Sequence, residues 1–373
     1  SLLARIDAEL AAQRAELAKA KAANLAVPDT HDYDEADTRR RFIDELLREA
    51  GWVVGESAGV EVPIAGMPNT KGEGAADYVL WGSDGKPLAV IEAKRSFTDP
   101  EVGRQQARLY ADCLEKMKGR RPLIYYTNGH KTWLWDDLRA PPREVSGFHT
   151  RDALELAIFR RSEQLDPREV PINAAIVGRS YQQRAIRSMA EAFVQGRRAG
   201  LLTMATGTGK TRTAIALVDV LMRANWAKRV LFLADRVALV KQATNEFKKH
   251  LPDAGPVNLV TERDGQGRVY LCTYPTMMGL IEEADGEQRR FGIGHFDLIV
   301  IDEAHRSVYQ KYGAIFRYFD AHLVGLTATP REEVHRDTYR LFGLEKGVPT
   351  DAYTLDEAVL NGYLVPPKAR SVP

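Results

Sequence analysis

The 373-residue chain has only two cysteines, Cys113 and Cys272. They stand too far apart to belong to a four-ligand zinc site of usual spacing, and two thiols make no disulfide framework. That usage fits a reducing cytosol. No apolar run approaches the roughly 18 residues that a membrane-spanning helix needs, and no signal-peptide pattern stands at the N-terminus, which opens at Ser1. Net charge is also missing, since 52 basic and 51 acidic residues leave +1. Such a balance neither requires nor excludes nucleic acid, because a local basic groove can sit on a neutral chain. There is no internal repeat and no low-complexity tract. These absences leave a cytoplasmic globular protein without a membrane partner, long enough for two or three domains.

Leu3, Ile6, Leu10 and Leu17 recur at helical spacing and predict an amphipathic helix over 1–27, packed on its own domain or on a partner. Pro28 and Asp29 end it. A second helix is predicted from Glu35 to Ala50, closed by Gly51. Short strands and turns then run to about Trp135, with Asp84-Gly85 and Asn128-Gly129 as hairpin signals. One helix interrupts them, opened by Asp99 and Pro100 and closed near Gly119. The stretch 161–177 has two prolines and no clear period, and reads as a linker. Beyond it the apolar strands LLTMA, VLFLA, VYLCT, LIVID and LVGLT alternate with helices, which predicts a parallel sheet covered on both faces. The fold class is therefore α/β, with a first domain over 28–160, a second over 178–355, and the start of an onward connection over 356–373.

In the second domain, MATGTGKT (Met204 to Thr211) follows a strand and opens a helix. Thr206, Gly207, Thr208 and Gly209 form a loop whose backbone N–H groups can wrap a phosphate. Lys210 can reach the β and γ phosphates, and the Thr211 hydroxyl can bind Mg²⁺. Met204 stands where the general phosphate-loop pattern asks for Gly. FDLIVIDEAH (Phe296 to His305) is a buried strand ending in two carboxylates. Asp302 suits the Mg²⁺ shell and Glu303 suits orienting or deprotonating the attacking water. LTATP (Leu326 to Pro330) then offers Thr327 and Thr329 as hydroxyls that can couple the ATP site to a nucleic-acid surface. Each motif alone also fits an ordinary turn after a strand; three in this order, each at a strand tip, point to an ATP-driven motor.

These residues resemble the first RecA-like motor domain of superfamily 2 helicases and translocases. The resemblance covers about Arg179 to Thr354, and that family tolerates Met204. It implies that Gln182 reads adenine, that Arg179 lies against the base, and that His305 belongs to the ATP site. It also implies that ADRVALVKQ (Ala234 to Gln242) and CTYPTMM (Cys272 to Met278) contact the nucleic-acid strand. Such motors need a second similar domain, which the resemblance places beyond Pro373. A piece holding only the first half is expected to bind ATP but to hydrolyse it poorly and not to translocate.

In the first domain, AADYVLWGSDGKPLAVIEAK (Ala75 to Lys94) reads as two strands around the Asp84-Gly85 turn. A regular hairpin about that turn sets Asp77 directly opposite Glu92, with Cβ atoms about 4.5–5.5 Å apart. That spacing suits two oxygen ligands of one Mg²⁺, with Pro87 as a disturbance to the register. Lys94 falls on the same face as Glu92, where an ammonium can activate water or neutralise a developing phosphorane. Gln106 and Tyr110 lie four apart, on one face of the next helix. Cross-strand charge pairs on a solvated hairpin are the plainer reading of the same residues. Glu45, on the preceding helix, is either an auxiliary acidic ligand or an exposed helix carboxylate.

Together these residues resemble the PD-(D/E)xK nuclease core, a mixed sheet with flanking helices. Asp77 stands for the D, Glu92-Ala93-Lys94 for the (D/E)xK, and Gln106 with Tyr110 for a Q-x-x-x-Y motif of one branch. Nuclease first and motor second is the order in the restriction (R) subunit of type I restriction–modification enzymes. The phrases ADYVLW, IEAKRS, QARLY, YTNGHKTWLWD, ATGTGKT, TYPTM and LTATP resemble that family over nearly the whole chain. The resemblance implies Mg²⁺-dependent cutting of double-stranded DNA, driven by ATP-fuelled translocation. It also implies methyltransferase (M) and specificity (S) partners that read the sequence of foreign, unmethylated DNA. Two other readings remain: a different defence or repair nuclease–translocase fusion, and a DNA-binding ATPase whose nuclease-like domain is an inactive clamp.

Overall fold

The computed structural model describes residues 42–95, 98–304, 306–328 and 336–366, with backbone only at 306–310 and 336–337. The expected helix over 1–27, the first part of the helix from Glu35, and the sites proposed at His305 and Thr329 lie outside the described residues.

A short helix α1 (Asp44–Glu49) precedes a six-stranded mixed sheet. Its strands lie in chain order: β1 (Ala58–Ala65), β2 (Glu73–Trp81), β3 (Pro87–Ala93), β4 (Leu123–Thr127), β5 (Thr132–Trp135) and β6 (Arg143–Val145). Only β3 and β4 run parallel. A parallel pair needs a crossover, supplied here by a 3₁₀ turn (Pro100–Gly103) and helix α2 (Arg104–Lys118). Asp99 caps that turn through the Glu101 N–H, and Gly119 ends α2 in the left-handed region at φ 70. All seven residues of β3 are buried, as expected of a strand covered on both faces. Ile43 and Leu47 of the α1 region join Tyr78 and Ile91 on one face. Ala107, Tyr110 and Leu114 of α2 join Val79 and Val90 on the other. Helix α3 (Arg151–Glu163) follows, capped by the Thr150 side chain, and reaches into the stretch expected to be linker.

The second sheet has seven strands in the order β15-β7-β14-β13-β8-β10-β9, and every pairing is parallel. In chain order its elements are α4 (Ser180–Val194), β7 (Ala199–Met204), α5 (Lys210–Arg223), β8 (Val230–Ala234), α6 (Val237–His250), β9 (Pro256–Asn258), β10 (Val269–Thr273) and α7 (Tyr274–Ile281). A small hairpin, β11 (Ala284–Asp285) with β12 (Gln288–Arg289), stands apart from the sheet. The chain continues through β13 (Leu298–Asp302), α8 (Arg306–Tyr318), β14 (His322–Thr327), α9 (Arg336–Leu341), β15 (Asp351–Tyr353) and α10 (Leu355–Leu360). The five apolar runs are the five central strands. Their side chains alternate between two cores, with Val230, Phe232 and Ala234 in one and Leu231 and Leu233 in the other. The edge strands β9 and β15 hold three residues each, too few to show a period in sequence. Among the described residues no helix is long and apolar enough to cross a membrane.

The mixed sheet docks against the N-terminal end of the parallel sheet. Arg143 of β6 binds Asp320 just before β14, and Arg160 of α3 binds Asp297 just before β13, each at 2.7 Å. Arg289 of β12 binds Glu49 of α1, also at 2.7 Å.

Candidate functional sites

The first site sits at the end of β3. The ladder pairs Tyr78 with Ile91, Val79 with Val90 and Leu80 with Ala89, the register that sets Asp77 opposite Glu92. The connection differs from the expected two-residue turn. It spans Gly82 to Lys86, closed by the Gly82 N–H on the Lys86 carbonyl at 2.9 Å. The register shifts between Leu80 and Trp81, with Leu88 as the extra residue after Pro87. The disturbance is thus absorbed at the turn and does not reach the carboxylates.

Asp77 and Glu92 are both buried. Asp77 Oδ2 accepts the Ala93 N–H at 2.7 Å, which fixes its carboxylate beside β3. Lys94 Nζ donates to Glu92 Oε1 at 2.6 Å and lies 3.5 Å from Gln106 Oε1. Gln106 Nε2 donates to the Tyr110 hydroxyl at 2.7 Å. Burial raises the Tyr110 phenol above its ordinary range; the Gln106 hydrogen bond works against that, and the charges of Glu92 and Asp77 add to it. The structure therefore brings Asp77, Glu92, Lys94, Gln106 and Tyr110 together. Glu45 is not among them. It is exposed on α1, which packs on the Tyr78 face, and alternation puts Asp77 on the opposite face. Its neighbour Asp44 is the residue that reaches β2, accepting the Tyr78 hydroxyl at 2.7 Å.

Two glycines close this site, and neither belongs to a motif in the sequence. A Cβ on Gly103 would meet Glu92 Cγ at 3.0 Å and Lys94 Cε at 3.2 Å. A Cβ on Gly74 would meet Tyr110 Cε1 at 3.0 Å. Nothing local marks them, because their neighbours come from other elements. Among the described residues no third His, Cys, Asp or Glu joins the carboxylate pair. Two carboxylates are an adequate protein contribution for Mg²⁺, which takes its remaining oxygens from water and phosphate.

The second site lies at the C-terminal end of the parallel sheet. The loop after β7 holds Gly207 at φ 85 and Gly209 at φ 88, a left-handed conformation that side-chain-bearing residues rarely adopt. A Cβ on Gly209 would meet Gln182 Nε2 at 2.7 Å, and one on Gly207 would meet Leu364 Cδ2 at 3.3 Å. Thr206 is exposed beside this cradle, while Thr208 is buried and donates to the Ala205 carbonyl. Lys210 and Thr211 open α5. Lys210 Nζ rests 3.4 Å from Glu303 Oε1. Burial, then the charge of Glu303, raises the Asp302 carboxyl to about 6, with Lys210 opposing. Glu303 itself takes a positive φ of 54. The Ala304 N–H bonds the Leu326 carbonyl at 2.9 Å, tying the acidic turn to β14, at whose tip Thr327 is buried. A glycine cradle, an opposing lysine and a half-buried aspartate at the C-terminal tips of β7 and β13 form a donor set that fits a nucleoside triphosphate with Mg²⁺.

The α4 side of this site is more crowded than motifs suggest. Gln182 Nε2 donates to the Thr208 carbonyl at 3.2 Å and Tyr181 donates to the same oxygen at 2.7 Å. Both thus buttress the loop from α4. Arg179 donates to the Tyr181 hydroxyl at 2.9 Å and lies 4.6 Å over the Tyr363 ring. Tyr353 stacks on Tyr181 at 3.7 Å between centroids. Tyr353 and Tyr363 come from the far end of the chain and carried no local signal.

The chain is 32% identical to the EcoAI type I restriction enzyme endonuclease subunit of Escherichia coli, over 90% of this chain and 43% of that protein. It is 28% identical to the EcoKI endonuclease subunit of Escherichia coli K12, over 91% of this chain and 36% of that protein. The chain is homologous to the endonuclease subunits of type I restriction enzymes. It spans less than half the length of these curated relatives. A family model described as "Type III restriction enzyme, res subunit" matches residues 175–332, the motor segment alone. A solved fragment assigned as an HsdR subunit of a type I restriction enzyme from Vibrio vulnificus YJ016 is 29% identical. That match covers 88% of this chain and 61% of that one, with a TM-score of 0.39.

Proposed function

We propose that the chain is the nuclease and first motor domain of a type I restriction subunit, with the nuclease over 28–160 and the motor over 178–355. In this reading it uses ATP to move double-stranded DNA and cuts it with Mg²⁺, in a cytoplasmic complex with methyltransferase and specificity subunits that recognise the site. The observation that carries it is the convergence of Asp77, Glu92, Lys94, Gln106 and Tyr110 at the end of one buried strand, on a chain that also holds a phosphate cradle.

Asp77 and Glu92 would hold Mg²⁺, which supplies Lewis acidity at the scissile phosphate when bound. Lys94 neutralises charge that develops on the phosphoryl oxygens. Gln106 and Tyr110 orient water or a phosphate oxygen by hydrogen bonding. At the other site Lys210 binds the β and γ phosphates, Thr211 and Asp302 would hold Mg²⁺, and Glu303 orients or deprotonates the attacking water. Gln182 and Arg179 line the base side, and Thr327 links the site to the DNA surface.

The test is a pair of variants in the full subunit assembled with its partners. Lys94→Ala is expected to abolish plasmid cleavage and to leave DNA-stimulated ATPase intact; Lys210→Ala is expected to abolish both. Normal cleavage by Lys94→Ala would instead favour an inactive clamp. Failure of the subunit to assemble with a methyltransferase and a specificity subunit would favour another nuclease–translocase fusion.

A further inference from the structure

A cleft of about 520 Å³ lies between the two sheets, lined by Arg151, Arg229, Arg289 and Arg290 together with His295. It is remote in kind from both sites described above. Arg229 immediately precedes β8 and His295 lies just before β13, so the cleft opens at the N-terminal end of the parallel sheet, whereas the glycine cradle and Asp302 stand at the C-terminal end. Its walls come from both halves of the chain, since Arg151 begins α3 and the other three arginines belong to the motor half.

The four arginines are not alike. Arg289 is paired with Glu49 at 2.7 Å, and Arg290 with Glu283 at 2.9 Å. Arg151 Nε is buried with no hydrogen-bond partner, and its guanidinium lies 5.5 Å over the Trp52 ring instead of against a carboxylate. Arg229 NH1 reaches the His295 carbonyl at 3.5 Å, a long contact for a charged donor. His295 Nε2 is also buried without a partner. Burial, then the charge of Arg229, holds that imidazole down to about 3, so the ring is neutral near pH 7. The two carboxylates that line the cleft, Glu56 and Asp152, are exposed, where water screens them. Buried polar groups without partners are unfavourable, and the Arg151 and Arg229 guanidinium groups, which pair with no carboxylate among the described residues, call for an anion rich in acceptor oxygens. A guanidinium fork matches phosphate in geometry as well as charge.

We propose that this cleft is a second phosphate-binding site, formed jointly by Arg151 and Arg229 across the nuclease–motor junction and separate from the ATP cradle. A phosphate group held there touches both halves and ties them together. Two sources carry this chemistry: the backbone of duplex DNA and a free polyphosphate.

The test uses the chain with Lys210→Ala, so that the ATP cradle is disabled, and compares it with the same chain carrying Arg151→Gln and Arg229→Gln. Pyrophosphate and a short DNA duplex serve as probes, read by calorimetry and by the shift in thermal midpoint. The double substitution is expected to weaken binding of at least one probe by about tenfold or more. Loss for the duplex, with a salt dependence shallower by about two phosphate contacts, assigns the site to the DNA backbone. Loss for pyrophosphate alone assigns it to a free polyphosphate. Arg151→Lys with Arg229→Lys, which keeps the charge, is expected to retain part of the binding. Unchanged affinity for both probes in a folded double variant overturns the proposal.

Discussion

Asp320 accepts two hydrogen bonds from Arg143, one from Nε and one from a terminal nitrogen, both at 2.7 Å, and so joins strand β6 of the mixed sheet to the start of β14 in the parallel sheet. Arg198, just before β7, donates to the same carboxylate at 2.7 Å, and His149 lies at 3.1 Å. Burial disfavours the Asp320 charge, but the charges of Arg143 and Arg198 outweigh it and hold the carboxyl well below the ordinary range. β7 and β14 are the strands whose far tips carry the phosphate loop and Thr327. Removing one partner of a buried ion pair leaves an uncompensated charge and costs about 3–5 kcal/mol. Asp320→Ala is therefore expected to lower the unfolding free energy by that order, read by urea denaturation. Arg143→Ala together with Arg160→Ala is expected to split unfolding of the chain into two transitions, one per sheet. A single unshifted transition would contradict both expectations.

Gly103 offers a test of the proposed nuclease site that leaves every polar group in place. It has an ordinary φ of −82, so alanine introduces no backbone strain. Its methyl instead presses on Glu92 Cγ and Lys94 Cε. Small displacements of reacting groups cost large factors in rate. Gly103→Ala in the full assembly is expected to slow DNA cleavage about tenfold or more while ATP turnover stays at the parent value. Equal cleavage rates would show that the packing of Gly103 does not position the pair.

The phosphate loop gives a second steric test. At Gly209, alanine meets both a positive φ and the Gln182 amide at 2.7 Å. A non-glycine residue in that region costs about 1–2 kcal/mol, and about 1.4 kcal/mol is tenfold in affinity. Gly209→Ala is expected to weaken binding of a fluorescent ATP analogue by tenfold or more. Gln182→Ala, which removes one of the two donors to the Thr208 carbonyl, is expected to weaken it less, because Tyr181 still holds that oxygen.

Stability should fall on mild acidification, and His322 accounts for part of the fall. Its ring packs against Phe193 and Trp226, with centroids 4.8 and 5.7 Å away. Burial, then the charge of Arg198, lowers it to about 3; Asp320 opposes, and Arg143 and Arg160 add to the lowering. The folded state keeps this imidazole neutral where the unfolded chain takes up a proton near 6.5. Stability is thus intact above about 6.5 and is lost progressively as pH falls towards 3, by up to about 2 kcal/mol at pH 5 for this one group. The drop in urea midpoint between pH 7 and pH 5 is expected to be smaller in His322→Phe than in the parent. An equal drop would place the proton uptake elsewhere.

Local pattern in the sequence determined the central strands of the parallel sheet, the glycine cradle after β7, the acidic tip of β13, and the grouping of Glu92, Lys94, Gln106 and Tyr110. These are legible because each is written in a run of a few residues, where strand alternation and helix spacing decide which side chains share a face. The register that sets Asp77 against Glu92 was legible for the same reason, although the turn producing it proved longer than a two-residue loop. Tertiary structure alone decided that Glu45 faces solvent while Asp44 reaches Tyr78, and that Gly103 and Gly74 close the site at the end of β3. It alone placed Tyr353 and Tyr363 beside Tyr181 and Arg179, and set Arg143 on Asp320. These pairings join residues far apart in the chain. Their physical basis is the burial of charge and shape between surfaces that exist only once both sheets have formed, so no local period in the sequence records them.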